Sequence, residues 1–251
     1  MNAIIKTETP AERSAHDLRQ ISDKVFAEAF LFDLDIATPL LPSPYAEFPF
    51  LVIEGFMDEL SCKAIVDAAK KAKNAKHAAL LSRRKKLNQK IRKTKILTLS
   101  PAHKKLYTQA FNRSRPEIEH FFSLSLTTST DVQVLEYTPG SFYKAHADDS
   151  SMLVDLDDGK VVGFKQVSPQ RKVSSVLFAS EQSETVHTPY QFSGGELIYN
   201  YFKDEEGNTV MFRPKMGTLI VFASNPIYTH EVKTVTEGYR LTLVQWHDAL
   251  L

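Results

Sequence analysis

The sequence predicts an α+β fold in which a helical lead-in precedes a jelly roll, and three observations predict it. From Asp131 onward, short β-rich runs are separated by turn residues, with no long helical period between them. Upstream of that point, apolar residues recur at helical spacing instead. The number of candidate strands in the second half suits two facing sheets. A chain of 251 residues is long enough for one well-cored domain. We therefore expect an extension over residues 1–48 and a single domain over 49–250, with a helical lead-in at 49–127 and the jelly-roll core at 128–250.

Taken in order, residues 1–48 are mixed in pattern and end in the prolines Pro39, Pro42 and Pro44, which cannot continue a helix. A helix is expected around 21–31. The run FLVI at 50–53 reads as a strand. Asp58 is placed to cap a helix through Leu60, Ala64, Ile65, Ala68 and Ala69. Further helices are expected over parts of 79–93 and 102–122. The predicted strands are 132–137, 142–147, 161–167, 173–179, 196–201, 209–212, 218–222, 228–234 and 240–246. The connections at 149–160 and 180–193 are long enough to serve as substrate-binding loops.

Composition excludes several classes. The chain is 43% hydrophobic and 24% charged, and no apolar run reaches the roughly 20 residues that span a bilayer. No membrane partner is expected. The first residues lack a basic end followed by an apolar stretch, so the expected compartment is the cytoplasm. Cys62 is the only cysteine, which excludes an internal disulfide and any thiolate cluster; it reads as a small apolar residue on a helix. Net charge is +1, yet between Lys70 and Lys95 there are twelve Lys or Arg and no Asp or Glu. Such a block can contact nucleic acid, the ribosome or an acidic protein. Without aromatic residues for base stacking, a solvated helical face is the simpler reading.

The chemistry-bearing residues lie in the second half. Residues two apart on a strand share a face, so His146 and Asp148 can offer an imidazole and a carboxylate to one metal ion, with a third ligand from another strand. Two histidines and one carboxylate leave three coordination positions open, the arrangement of non-haem Fe(II) oxygenases. Alone, a His-x-Asp triplet is weak, and a surface histidine beside Asp148 and Asp149 would look the same. The C-terminal segment strengthens the case: His230 starts one strand and Arg240 the next, with a Glu237-Gly238 turn between them. Folded as a hairpin, the pair would bracket a ligand several ångströms long. 2-Oxoglutarate needs such a layout, with metal at its oxo-acid end and a bidentate Arg at its other carboxylate.

At this point the sequence resembles the prolyl-4-hydroxylase-like branch of the Fe(II)/2-oxoglutarate-dependent oxygenase superfamily, over about residues 50–247. The resemblance is carried by FLVIEGF at 50–56, LEYTPGSFYKAHAD at 135–148, RKVSSVLF at 171–178, GGEL at 194–197 and HEVKTVTEGYRLTLVQW at 230–246. It implies a double-stranded β-helix core with the N-terminal helices packed against it. It also implies Fe(II), 2-oxoglutarate and O₂, with ascorbate as a candidate reductant, and hydroxylation of an unactivated C–H bond with release of succinate and CO₂. The family pattern puts the metal ligands at His146, Asp148 and His230 and the carboxylate clamp at Arg240. Tyr137 falls beside the co-substrate, although an ordinary core aromatic is the competing reading. Leu197, Thr242, Val244 and Trp246 would line the pocket by strand alternation.

The chain departs from some relatives in placing Phe178 where they add a tyrosine hydroxyl to the clamp. Thr242 and Ser174 are the candidates to supplement Arg240. His187, in a polar loop, is the alternative third ligand, but it lacks the strand, the preceding PKMG turn at 214–217 and the following Arg. His16, His77, His103, His120 and His247 read as surface or interface residues. Gly194 and Gly195 are not followed by a helical pattern and read as close backbone packing at a strand start. The prime substrate is open: a prolyl or other protein side chain, a small metabolite, or a nucleobase held by the basic 70–95 segment. A non-catalytic jelly-roll binding protein is the remaining alternative. The acidic run SSMLVDLDD at 150–158 could attract a basic peptide or simply be a solvated loop.

Overall fold

Each of the two described α-helices begins at a side chain that satisfies free backbone N–H groups. Asp58 accepts the Ser61 N–H at 2.8 Å and starts α1 (Glu59–Lys71), which carries Glu59 in its first turn and Lys70 and Lys71 in its last, as the helix dipole favours. Ser100 caps α2 (Pro101–Phe122), whose first residue is a proline. The computed structural model describes residues 26–27, 50–71, 76–78 and 91–250, apart from 156, 158 and 205. None of the described helices is long and apolar enough to cross a membrane.

The strands, in chain order, are β1 (Phe26–Ala27), β2 (Leu51–Ile53), β3 (Lys76–Ala78), β4 (Arg92–Leu97), β5 (Ser125–Ser129), β6 (Gln133–Tyr137), β7 (Phe142–His146), β8 (Ser150–Val154) and β9 (Val161–Gln166). They continue with β10 (Val173–Phe178), β11 (Glu181–Gln182), β12 (Gln191–Gly194), β13 (Leu197–Lys203), β14 (Thr209–Phe212), β15 (Leu219–Ala223), β16 (His230–Val232), β17 (Val235–Gly238) and β18 (Arg240–Leu250). The main path runs β1-β13-β16-β7-β4-β6-β18-β10-β15-β2. Strand β4 pairs with β6 through Lys95, Ile96 and Leu97 and with β7 through Arg92 and Lys93. It thereby joins a larger sheet, β4-β6-β18-β10-β15-β2, to a smaller one, β4-β7-β16-β13. The result is the expected jelly roll, a double-stranded β-helix core with the helices packed against its outer face.

Alternation along β10 sorts side chains between these environments. Ser175 points outward, where its hydroxyl meets Tyr107 of α2 at 3.1 Å and His247 at 2.9 Å. Ser174 points inward, toward the site described below. Cys62, Ile65, Val66 and Ala69 of α1 are fully or almost fully buried in the same core. Cys62 is therefore the small apolar residue expected, and burial pushes its thiol up to about 12.

Several expectations are corrected. The expected helix at 79–93 falls mostly outside the described residues, but its last part opens strand β4. The described parts of the basic segment beyond α1 are thus strands, β3 and β4. The helix expected at 21–31 also lies outside the described residues, except for Phe26 and Ala27, which pair with β13. The strands bearing His230 and Arg240 do not form a hairpin: β16 pairs with β13 and β7, whereas β18 pairs with β6 and β10 in the facing sheet. The segment between them is itself a strand, β17, paired with β12. The connection at 149–160 carries β8, which forms a separate ribbon with β9, and that at 180–193 carries β11 and the start of β12. His247 is not a surface residue. It is fully buried, stacked on Phe111 with ring centroids 4.4 Å apart and hydrogen-bonded to Ser129 at 2.7 Å.

Candidate active site

Antiparallel pairing of β7 with β16 sets His146 directly opposite His230, and their ring centroids lie 4.4 Å apart. Asp148 follows just beyond the end of β7. One ligand atom from each of His146, Asp148 and His230 lies within 4.8 Å of the others, close enough for a single ion to touch all three. Each imidazole is oriented from behind. The Nδ1 of His146 lies 3.0 Å from the Lys144 carbonyl, and that of His230 lies 2.9 Å from the Tyr228 carbonyl. A carbonyl can only accept, so both Nδ1 atoms carry a proton, and the Nε2 atoms are the ones left for an ion.

The protonation states suit a cation. Burial holds the His146 imidazolium well below its ordinary range, with neighbouring His230 acting in the same direction. Burial alone would raise the Asp148 carboxyl, but His230, His146, the Ser174 hydroxyl and the Trp246 indole together bring it down. The inward hydroxyl of Ser174 donates to Asp148 Oδ2 at 2.6 Å and lies 2.7 Å from Ser224 Oγ. Two imidazoles and a carboxylate form a donor set that fits Fe(II).

Arg240 stands on the facing sheet, 1% exposed. Its Nε donates to the Gly195 carbonyl at 3.0 Å, and its guanidinium lies 4.6 Å from the Tyr137 ring centroid and 5.1 Å from that of Phe178. Burial lowers it to about 10, so it stays charged at neutral pH. Among the described residues no carboxylate is paired with it. Gly195 has φ +62°, and a Cβ there would lie 2.8 Å from Val235 Cγ2 and 3.0 Å from Arg240 Cδ. Glycine is therefore required where this backbone supports the guanidinium.

A cavity of about 390 Å³ joins the two ends, lined by the three candidate ligands and by Arg240, Tyr137, Leu197, Thr242, Val244 and Trp246. All the candidate residues are thus brought to one space. Ser174 is not available to Arg240, because its hydroxyl is engaged by Asp148; Thr242 remains beside the clamp. His187 is exposed and does not line the cavity. Sequence reasoning missed Ser174 as a support for Asp148 and missed, among other lining residues, Arg92, Tyr143 and Arg171. Strand alternation in RKVSSVLF places Ser174 on the inner face. Arg92 carried no such signal, because it lay in a presumed helix.

A profile of the 2OG-Fe(II) oxygenase superfamily matches residues 132–248, and the chain has the fold of prolyl hydroxylases of known structure. A PKHD-type hydroxylase from Rippkaea orientalis is 33% identical over 64 residues, which span only 26% of each chain. A Pseudomonas putida prolyl-4-hydroxylase superposes with a TM-score of 0.54 at 23% identity, covering 79% of this chain and 91% of its own. A Trichoplax adhaerens prolyl hydroxylase, solved with a hypoxia inducible factor peptide fragment, gives a TM-score of 0.58 at 18% identity, covering 79% and 83%. A viral collagen prolyl hydroxylase from Paramecium bursaria chlorella virus 1, solved with 2-oxoglutarate, gives 0.52 at 20% identity, covering 80% and 96%.

Proposed function

We propose that this chain is an Fe(II)- and 2-oxoglutarate-dependent hydroxylase that oxidises an aliphatic C–H bond, of a prolyl or other side chain or of a small molecule. The observation that carries this reading is the shared cavity, with a His-Asp-His donor set facing a buried arginine that has no carboxylate paired with it among the described residues. His146, Asp148 and His230 would hold the metal, and Arg240 would receive the far carboxylate of 2-oxoglutarate through its two terminal nitrogens. When bound, Fe(II) with 2-oxoglutarate and O₂ supplies the oxidant, with succinate and CO₂ as products. The chain's own work is positional. Backbone carbonyls fix both imidazoles, Ser174 fixes the carboxylate, and Leu197, Val244 and Trp246 keep the reacting space apolar and poor in water.

The test is succinate formation by anaerobically Fe(II)-loaded protein after addition of O₂ and 2-oxoglutarate. Wild type should form succinate and Asp148→Ala should not. Equal succinate from both proteins would reject the metal assignment.

A further inference from the structure

The run between Lys70 and Lys95 carries twelve Lys or Arg and no Asp or Glu, and of its described cations only Arg92 lines the cavity. A solvated helical face explains such a run from sequence, but beyond α1 its described parts are strands. The two ends of the run are seated together on one pair of side chains. Lys70 Nζ donates to the Pro189 carbonyl at 2.6 Å and lies 4.7 Å from the Tyr239 ring centroid. The Tyr239 hydroxyl donates to Glu136 Oε1 at 2.8 Å, and Glu136 Oε2 meets Lys95 Nζ at 3.3 Å. Both oxygens of Glu136 are thereby engaged. The cations beside it have no such partner. Strand β4 turns Arg92 and Ile96 into the cavity, so Lys93 points outward by alternation. On β7, Tyr143 faces the cavity and Lys144 points outward. Lys93 lies opposite Phe142, and the Lys144 N–H donates to the Ile91 carbonyl at 2.9 Å, so the two lysines are diagonal neighbours on one face. Lys71, Lys93 and Lys144 are exposed, and among the described residues none has an acidic partner.

Charge and composition decide what this face takes. We propose that the outer face of β4 and β7, with Lys71 at the end of α1, docks the sugar-phosphate backbone of a nucleic acid. A nucleic-acid strand presents charges of one sign at regular intervals, and a run of one sign matches it. Nine of the twelve cations are lysines, compact point charges that meet a phosphate from any direction, whereas a surface built for carboxylates favours the planar fork of arginine. No Phe, Tyr or Trp lies between Lys70 and Lys95, so the run offers no platform on which bases stack. The contact is therefore with the backbone and carries no sequence preference. Strand β4 then works on both faces, since Arg92 and Ile96 line the cavity while Lys93 holds the polyanion. Docking there keeps the cavity beside whatever the nucleic acid, or an assembly containing it, presents. The inference goes beyond the proposed function and does not depend on the metal or on 2-oxoglutarate.

The test is fluorescence anisotropy of short labelled oligouridine RNA and oligothymidine DNA titrated with the full chain. At least one of the two should bind, and the tighter of them identifies the source of the phosphate. Affinity should fall roughly tenfold or more between about 50 and about 200 mM salt, as counterion release by three or more phosphate contacts requires. The combined variant Lys71→Glu, Lys93→Glu, Lys144→Glu should lose roughly tenfold or more in affinity at low salt. The combined variant Lys105→Glu, Arg113→Glu, Lys165→Glu makes the same change in net charge at exposed cations elsewhere and should stay within about twofold of wild type. Gln in place of Glu at positions 71, 93 and 144 removes the charges without reversing them and should weaken binding in the same direction, with thermal unfolding near that of wild type. Absence of binding at low salt, an affinity indifferent to salt, or equal loss in the two charge-reversed variants would overturn the proposal. Displacement of the strand by poly-glutamate as readily as by unlabelled strand would also overturn it, and would assign the face to an acidic protein.

Discussion

At the scale of single residues, the site depends on side chains that touch the candidate ligands rather than on the ligands alone. Ser174 donates to Asp148 at 2.6 Å, and losing a partner of this kind typically costs ten- to a hundredfold in metal affinity. Ser174→Ala should therefore weaken Mn(II) binding by roughly that factor while its thermal unfolding stays near that of wild type. Unchanged Mn(II) affinity would mean that Asp148 needs no such support. Arg240→Gln should leave Mn(II) binding intact and weaken 2-oxoglutarate binding by roughly tenfold to a hundredfold, the worth of a hydrogen bond to a charged group. Equal 2-oxoglutarate affinity in calorimetry would remove Arg240 from the clamp. These residues were legible in different degrees. Arg240 is marked by its spacing from His230, whereas Ser174 is legible only once β10 is placed between β15 and β18.

At the scale of elements, the junction between β12 and β13 does for Arg240 what backbone carbonyls do for the histidines. Gly195→Ala must move either the Val235 side chain or Arg240 Cδ, in a backbone conformation that disfavours any Cβ. It should raise the dissociation constant for 2-oxoglutarate and lower the unfolding temperature, with metal affinity little changed; an unaltered 2-oxoglutarate titration would show that the junction does not position the clamp. Strand existence was largely legible, because alternation and turn residues mark β6, β7, β10 and β18 locally. Pairing was not. The segment from His230 to Arg240 reads locally as a hairpin, but Val235–Gly238 pairs with the distant Gln191–Gly194, and no local signal encodes a partner some forty residues away. Strand β4 was missed because its lysines and arginines satisfy a helical pattern as easily as an edge strand.

At the scale of the whole molecule, the packing of helix on sheet passes through one buried histidine. His247 of β18 stacks on Phe111 of α2 and hydrogen-bonds to Ser129 of β5 and Ser175 of β10, so it ties four elements together. The sequence read it as a surface or interface residue, since a polar residue after a predicted strand gives no sign that a helix will cover it. Burial drives its imidazolium down to about 3, with Arg115 acting in the same direction. The unfolded chain protonates near the ordinary value of about 6.5, so above that pH the residue is neutral in both states and its contribution to stability is complete. As pH falls below about 6.5 the unfolded state takes up a proton that the folded state refuses, and stability drops until the pH nears the folded value. At about 1.4 kcal/mol per pH unit across that window, the loss attributable to this one group is on the order of 5 kcal/mol. Denaturant unfolding between pH 7 and 4 should show this as a steeper decline in wild type than in His247→Gln, which keeps a polar group but cannot titrate. The variant should be less stable at pH 7 and the two curves should converge toward pH 4; parallel curves would mean that folded His247 takes up its proton as readily as the unfolded chain does.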